Sequence, residues 1–363
     1  MLLEEELRKN GYQTLAKVTG HDPMYIWNGT RIPINRDHHL PLLDFDNVPG
    51  ILDFDCDVLI LENQAITPYT MRYIHSLIDP QHILIPNIRI DHTEGLGENL
   101  KEMANNFVKN YRVTARRKTV YYGENIDEIY QEVAPVFRDF SAGNPRLMKF
   151  LEIAPNPRYR GVPYIENLNV VSLFMQHSFG IPVNVHRSLE QMLGTLSIKT
   201  SPESIRYLDL AKVNDPASFL QVLQYIFRDS REGIALVGYF RKDRMDRNII
   251  FEQIFPEIEQ IFGDQIRKIW FGGYGALHSY RNLPLSYRKI ADYTTDIADI
   301  DAMLSSVREN NLVLVTICNR VNPFMDTLME RLGAPVMSRP TQGTRLMSLL
   351  RMSTGSGMSG RKK

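Results

Sequence analysis

From Asp215 onward, short continuous apolar runs alternate with helix-length segments that carry their own start and stop signals, and few folds admit that alternation. Asp215 caps and Pro216 opens a helix whose Phe219, Leu220, Leu223, Ile226 and Phe227 share one face. Gly233–Tyr239 (GIALVGY) reads as a buried strand, and a helical segment follows over Arg247–Phe262, which Pro256 must kink or divide. Ile266–Phe271 (IRKIWF) is the next strand, ending in Gly272-Gly273; Asp299–Arg308 is a capped helix, and Leu312–Cys318 (LVLVTIC) a further strand. Asn322 caps and Pro323 opens a helix that stops at Gly333, before a last short strand, Pro335–Ser338. Strands that are apolar throughout, rather than at every second residue, belong to sheets covered on both faces. The pattern is therefore that of a doubly wound parallel sheet.

A shorter stretch repeats the theme. Cys56–Leu61 (CDVLIL) and His82–Ile85 (HILI) read as strands. Between them lies a helix capped by Thr67 and opened by Pro68, with Met71, Ile74, Leu77 and Ile78 on one face. Strand, helix and strand with short loops predict a βαβ unit. The middle of the chain carries weaker signals: helix over Glu124–Phe137 and over Leu147–Ile153, a loop at Asn156–Pro163 (NPRYRGVP), an apolar stretch Leu168–His177 and an extended piece Pro182–Val185. The expected organisation is α/β, with two Rossmann-like domains, each with a mainly parallel sheet. These are an N-terminal one over 1–160 and a C-terminal one over 161–352, with a small, polar, basic and disordered tail over 353–363.

Composition narrows the function. The 363 residues hold 42 Lys plus Arg and 42 Asp plus Glu, so no net field draws the chain to nucleic acid or to an anionic membrane. The two cysteines, Cys56 and Cys318, sit inside apolar runs as buried thiols do, and suit neither a zinc site nor a disulfide framework. No apolar run approaches a membrane span, and MLLEEELRKNGYQ places acids where a signal peptide needs bases. Cytoplasmic residence is the expectation. Neither a Gly-x-Ser-x-Gly elbow nor a phosphate loop of the Walker type occurs.

Ligands of open parallel sheets bind at the carboxyl ends of strands, which selects three loops. Gly238-Tyr-Phe-Arg241-Lys242-Asp243-Arg244 joins a glycine to three cations suited to a diphosphate; Gly272-Gly273-Tyr274-Gly275 offers exposed amides; and Asn322–Ser338 reads NPFMDTLMERLGAPVMS. This third stretch resembles the donor domain of retaining GT-B glycosyltransferases, in which an acid, Pro-Phe-Gly, a helix with a glutamate and Gly-x-Pro-Val follow one another. Here Pro323-Phe324, Glu330 and Gly333-Ala334-Pro335-Val336 stand in that order, with the two upstream loops placed as in the family, across roughly the last 130 residues. The chain departs from the family in having Asn322 for the first acid, Tyr239 for an arginine, and two fewer residues between Glu330 and Gly333. The resemblance implies a GT-B-like fold and a nucleotide-sugar donor as co-substrate, with no other cofactor and no metal. Gly238, Gly272, Gly273, Tyr274, Asn322, Phe324 and Glu330 would hold the donor, Glu330 through its ribose hydroxyls. Arg241, Lys242 and Arg244 would stabilise the departing diphosphate, and the N-terminal domain would present an unidentified acceptor.

Other readings compete. His92, next to Asp91 in the loop after His82–Ile85, could act as a general base near an acceptor. His21, His38 and His39 assemble into no site. The acids Asp44, Asp46, Asp53, Asp55 and Asp57 could chelate a divalent cation in the Asp-x-Asp manner of GT-A enzymes. Arg112, Arg116, Arg117 and Lys118 beside Tyr121 and Tyr122 could bind a single strand of nucleic acid. A non-catalytic scaffold of the same fold is the remaining alternative, favoured by the missing acid at Asn322.

Overall fold

Three sheets organise the described residues. The computed structural model describes residues 1–19, 23–34, 55–63, 66–110, 117–211, 213, 215–242, 245–294, 300–317 and 322–334. These fall into two units, one within residues 1–65 and the other within residues 66–336.

In the first unit, helix α1 (Leu2–Lys9) precedes β1 (Thr14–Val18), β2 (Met24–Trp27), β3 (Thr30–Pro33) and β4 (Val58–Leu61), which form a sheet in the order β3-β2-β1-β4. β2 and β3 make a hairpin whose two-residue turn, Asn28-Gly29, holds both residues at positive φ, as the twist of a tight hairpin requires. β4 runs parallel to β1, from Thr14 opposite Val58 to Lys17 opposite Leu61.

The second unit opens with α2 (Pro68–Ile78), capped by Thr67 as the sequence predicts. β5 (His82–Ile85), the short helix α3 (Thr93–Leu96), α4 (Leu100–Asn110), β6 (Lys118–Tyr122), α5 (Asp127–Gly143), β7 (Met148–Glu152) and α6 (Ile165–Phe179) follow. The three strands form an all-parallel sheet, β5-β6-β7. Two expectations are corrected here. Cys56–Leu61 and His82–Ile85 do not form a βαβ unit, because β4 pairs with β1 while β5 pairs with β6 in a separate sheet. Residues 147–153 contain a strand rather than a helix. A short apolar run is compatible with either, and here the open edge of β6 supplies the hydrogen bonds that decide it.

After α7 (Val185–Leu193), a hairpin of β8 (Lys199–Thr200) and β9 (Arg206–Asp209) leads into the third sheet. The later elements are α8 (Pro216–Phe227), β10 (Ile234–Phe240), α9 (Met245–Glu252), α10 (Phe255–Phe262), β11 (Ile266–Gly273), α11 (Ala276–Asn282), α12 (Leu285–Arg288), β12 (Ala291–Thr294), α13 (Ile300–Glu309), β13 (Val313–Ile317) and α14 (Pro323–Arg331). The order is β12-β11-β10-β13-β9-β8, parallel except for the terminal β8. Ile234, Leu236 and Phe240 of β10 pack with Phe219, Leu223, Phe251, Phe255 and Ile258 of the helices on one face. Ala235 and Val237 pack with Met303, Leu304, Phe324 and Leu328 of α13 and α14 on the other. Each large side chain so buried contributes about 1.5–3 kcal/mol. The mixed α/β architecture with parallel sheets is thus as expected, and Pro256 does divide its helical segment in two. The strands β9 and β12 were not legible, because RYLD and ADYT carry no apolar run. The expected strand 335–338 and the tail 353–363 lie outside the described residues. Among the described residues, no helix is long and apolar enough to cross a membrane.

One buried histidine registers the cost of this packing. His75 lies in the last turn of α2, and burial, with Lys118 adding to it and Asp79 opposing, lowers its pKa to about 4. Lys118 is itself buried, ion-paired to Asp79, and donates to the Pro80 carbonyl at 3.0 Å. A depressed histidine pKa means that the unfolded chain takes up a proton which the folded one refuses. Stability is therefore lost as pH falls from about 6.5 to about 4, by roughly 3 kcal/mol in full. Chemical denaturation of the wild type and His75→Gln at pH 7 and pH 4.5 should show the wild type losing about 2 kcal/mol more than the variant. Equal losses would show that His75 is not the group responsible.

Candidate functional site

A buried guanidinium gathers three carboxylates at the carboxyl end of the three-stranded parallel sheet. Arg89 lies in the loop that leaves β5, and its side chain is 5% exposed. Its Nη1 pairs with Glu124, which follows β6 and is fully buried. Its Nη2 lies 3.8 Å from Glu166 in the first turn of α6, and its Nε lies 4.0 Å from Asp215, the cap of α8. Four chain segments thus meet on one cation.

Each carboxylate is held from behind. Glu124 Oε1 accepts hydrogen bonds from the backbone N–H groups of Asn125 and Ile126, both at 2.9 Å. Glu166 Oε1 accepts from Asn87 Nδ2 at 2.9 Å, and Asp215 Oδ1 from Ser218 N at 2.8 Å. The close approach of α6 to the end of β6 depends on Gly123, where a Cβ would run into the Glu166 carbonyl oxygen. Asn169 Nδ2 seals that junction by donating to the Gly123 carbonyl at 3.0 Å.

Three carboxylates on one guanidinium leave an excess of negative charge. Burial pushes the Glu166 carboxyl above the usual range, against the pull of Arg89. Arg89 Nε and Nη2 and Tyr122 Oη are buried and make no hydrogen bond. Burial also pushes the Tyr122 phenol far up, so it stays a donor. Unmatched buried donors of this kind are costly and collect at functional sites.

Two and three residues beyond Arg89, the same loop carries Asp91 and His92. His92 has φ +54°, a conformation seldom taken by a side-chain-bearing residue outside special sites. Its backbone N–H donates to Asp91 Oδ1 at 2.9 Å, and its Nε2 lies 3.6 Å from Asp91 Oδ2. The ring is thereby oriented with 18% of the side chain still exposed. Among the described residues, no group of three or more His, Cys, Asp or Glu is arranged to hold a metal ion.

At the third sheet, the described parts of the singled-out loops are occupied by packing. The ring of Tyr239 lies against Gly272 and Gly273, 3.0 Å from where their Cβ atoms would stand, and stacks on Phe324 with centroids 5.5 Å apart. It fills the space between those loops. Gly238 makes room for Ile317 of the neighbouring strand, not for a ligand. Asn322 caps α14 by accepting from Met325 N at 2.8 Å, and Phe324 is a core residue. Glu330 is exposed in the last turn of that helix, about 12 Å along the axis from Asn322. Lys242 does meet Tyr274, its Nζ 5.3 Å from the ring centroid, and the Arg241 carbonyl accepts from Asn248 Nδ2 at 3.0 Å. Arg244 lies outside the described residues.

Of the residues in the competing readings, Asp44, Asp46, Asp53, His21, His38, His39, Arg112, Arg116 and Cys318 lie outside the described residues, while Asp57 accepts from Gln13 N at 2.8 Å. Tyr121 and Tyr122 are fully buried and offer no face to a nucleic-acid base. Of the residues on these loops the sequence singles out Asp91 and His92, reads Asp215 only as a cap, and gives no role to Arg89, Glu124 or Glu166. Arg89 and Glu124 each follow a strand within a few residues, in HILIPNIR and KTVYYGE, but nothing local marks either as part of a cluster.

No family model and no curated protein matches the sequence. Solved structures do. MurF from Acinetobacter baumannii is similar over 90% of this chain and 73% of its own, with 10% identity and a TM-score of 0.56. A second crystal structure of that MurF gives 11% identity and 0.51 over the same shares. A murein peptide ligase, Mpl, from Psychrobacter arcticus gives 10% identity and 0.50, over 92% of this chain and 74% of its own. These likenesses correct the expectation of a GT-B glycosyltransferase with a nucleotide-sugar donor and a sugar acceptor. The chain shares its fold with MurF and with this murein peptide ligase.

Proposed function

We propose that this protein is an amide-forming ligase of the peptide-ligase type, whose reacting groups meet on the loops that follow β5 and β6. The observation that carries the reading is the fold shared with MurF and the murein peptide ligase over nine-tenths of the chain. It is supported by where the buried polar groups sit, at the carboxyl ends of parallel strands where such sheets hold ligands.

Joining a carboxyl group to an amine requires an activated acyl group, an attacking amine that loses a proton, and donors for the oxyanion that forms between them. His92, oriented by Asp91, is the proton acceptor in this proposal. The Arg89 cluster is the frame. It fixes the loop that carries His92 to β6, α6 and α8 through one guanidinium.

The sequence contains no Walker-type phosphate loop. The assay therefore supplies the carboxyl group in two forms, as the free acid with a nucleoside triphosphate and as a preformed acyl phosphate, each with a panel of amino acids and short peptides. Amide formation in either arm is the expected result, and failure in both would refute the ligase reading. His92→Gln should lower kcat at least about 100-fold with little change in KM. An unchanged kcat would remove His92 from the chemistry.

The frame has its own test. Arg89→Met strands Glu124 and Glu166 in the interior and should cost about 3–5 kcal/mol of stability. Adding Glu124→Gln should recover part of that loss. A stability for Arg89→Met within about 1 kcal/mol of the wild type would show that the cluster is not under the strain its charges imply.

A further inference from the structure

A second hollow lies away from the strand carboxyl ends. Helix α8 begins at Asp215 beside Arg89 and runs to the opposite end of its sheet. There its last turn, the C-terminal turn of α10 and the loop 160–162 enclose a cavity of about 340 Å³, within the range of small-molecule sites. Gln221 Nε2 donates to the Val162 carbonyl at 3.1 Å and ties the loop to α8.

The lining is unusual for a surface hollow. Phe227 and Phe262 form an apolar floor, while Tyr225 and Ile261, each 41% exposed, stand at its sides. Both thus offer apolar surface to a ligand seated in the hollow. Among the described residues, the charged groups in the wall are Arg160 and Arg228, with no acid. Arg160 pairs with Glu128 at 3.0 Å, but those side chains are 69% and 68% exposed. Arg228 lies 3.8 Å from Asp229, and both are more exposed still. Exposed pairs of this kind are worth little and yield readily to a ligand. The C-terminal dipoles of α8 and α10 oppose an anion by about 0.3–1 kcal/mol each, which two full positive charges outweigh.

We propose that this hollow binds a planar aromatic anion of about the size of an indole carboxylate, its ring between Tyr225 and Ile261 and its acid on Arg160 and Arg228. The site is separate from the loops proposed for ligation and does not depend on that function.

The test titrates the full chain with 8-anilinonaphthalene-1-sulfonate and follows its fluorescence, with indole-3-acetate as competitor. One saturable site is expected. Binding should weaken at least tenfold in the double variant Arg160→Glu/Arg228→Glu and in Ile261→Glu. It should be unchanged in Arg331→Glu, which alters an exposed arginine elsewhere. Equal thermal midpoints establish that the variants are folded, so that dye uptake by loosened protein is not mistaken for the site. Indole-3-acetate should displace the dye at least tenfold better than neutral indole. Absence of a saturable site, or equal affinity in the wild type and the folded variants, would overturn the proposal. Equal displacement by indole and indole-3-acetate would overturn the anionic class.

Discussion

β10 is hydrogen-bonded to β11 on one edge and β13 on the other, and helices cover both of its faces. All of its residues but Tyr239 are buried, and the neighbouring elements conform to it. Ala235 and Val237 are small because α13 and α14 lie close; Leu236 and Phe240 are large because α8, α9 and α10 stand on the opposite side. Gly238 has no side chain because Ile317 of the adjoining strand occupies that volume. The order of the sheet and the placing of its helices follow from satisfying this one strand on four sides.

The same constraint acts differently at the carboxyl ends of the two parallel sheets of the second unit. At the end of β10 it reaches as far as Tyr239, whose ring occupies the space between Gly272, Gly273 and Phe324. At the end of the three-stranded sheet the chain instead buries charge. Arg89, Glu124, Glu166 and Asp215 meet there, with donor atoms left over. A filled apolar end contributes stability alone, whereas buried charges with unmatched donors are costly unless they serve something else.

The misreading of the C-terminal region has a physical lesson. Pro-Phe after a capping asparagine, a glutamate two turns on and a glycine before Pro-Val look like a donor-sugar motif, yet each has a local reason here. Asn322 and Pro323 start a helix, Phe324 fills the core, Glu330 faces solvent, and Gly333 at φ +66° ends the helix against Pro202. Helix ends and strand entries reuse the same few residues whatever the ligand, so their order along a chain is weak evidence of chemistry. Asp91-His92 stands out in the sequence as an acid beside a histidine after a strand, whereas nothing local distinguishes a surface arginine from Arg89, which finds three carboxylates.

The sequence by itself determined the apolar strands β10, β11 and β13 and the helices α8, α10, α13 and α14, together with the caps at Thr67, Asp215 and Asn322. Those properties depend on backbone hydrogen bonding and side-chain periodicity within a few residues. Only the tertiary structure decided that β4 joins β1 rather than β5, that residues 148–152 become a strand, and that Asn87, Arg89, Glu124, Glu166 and Asp215 form one cluster. Each of these is a choice of partner across tens of residues or more. Strand edges and charges carry no mark of their partner until the core has closed around them.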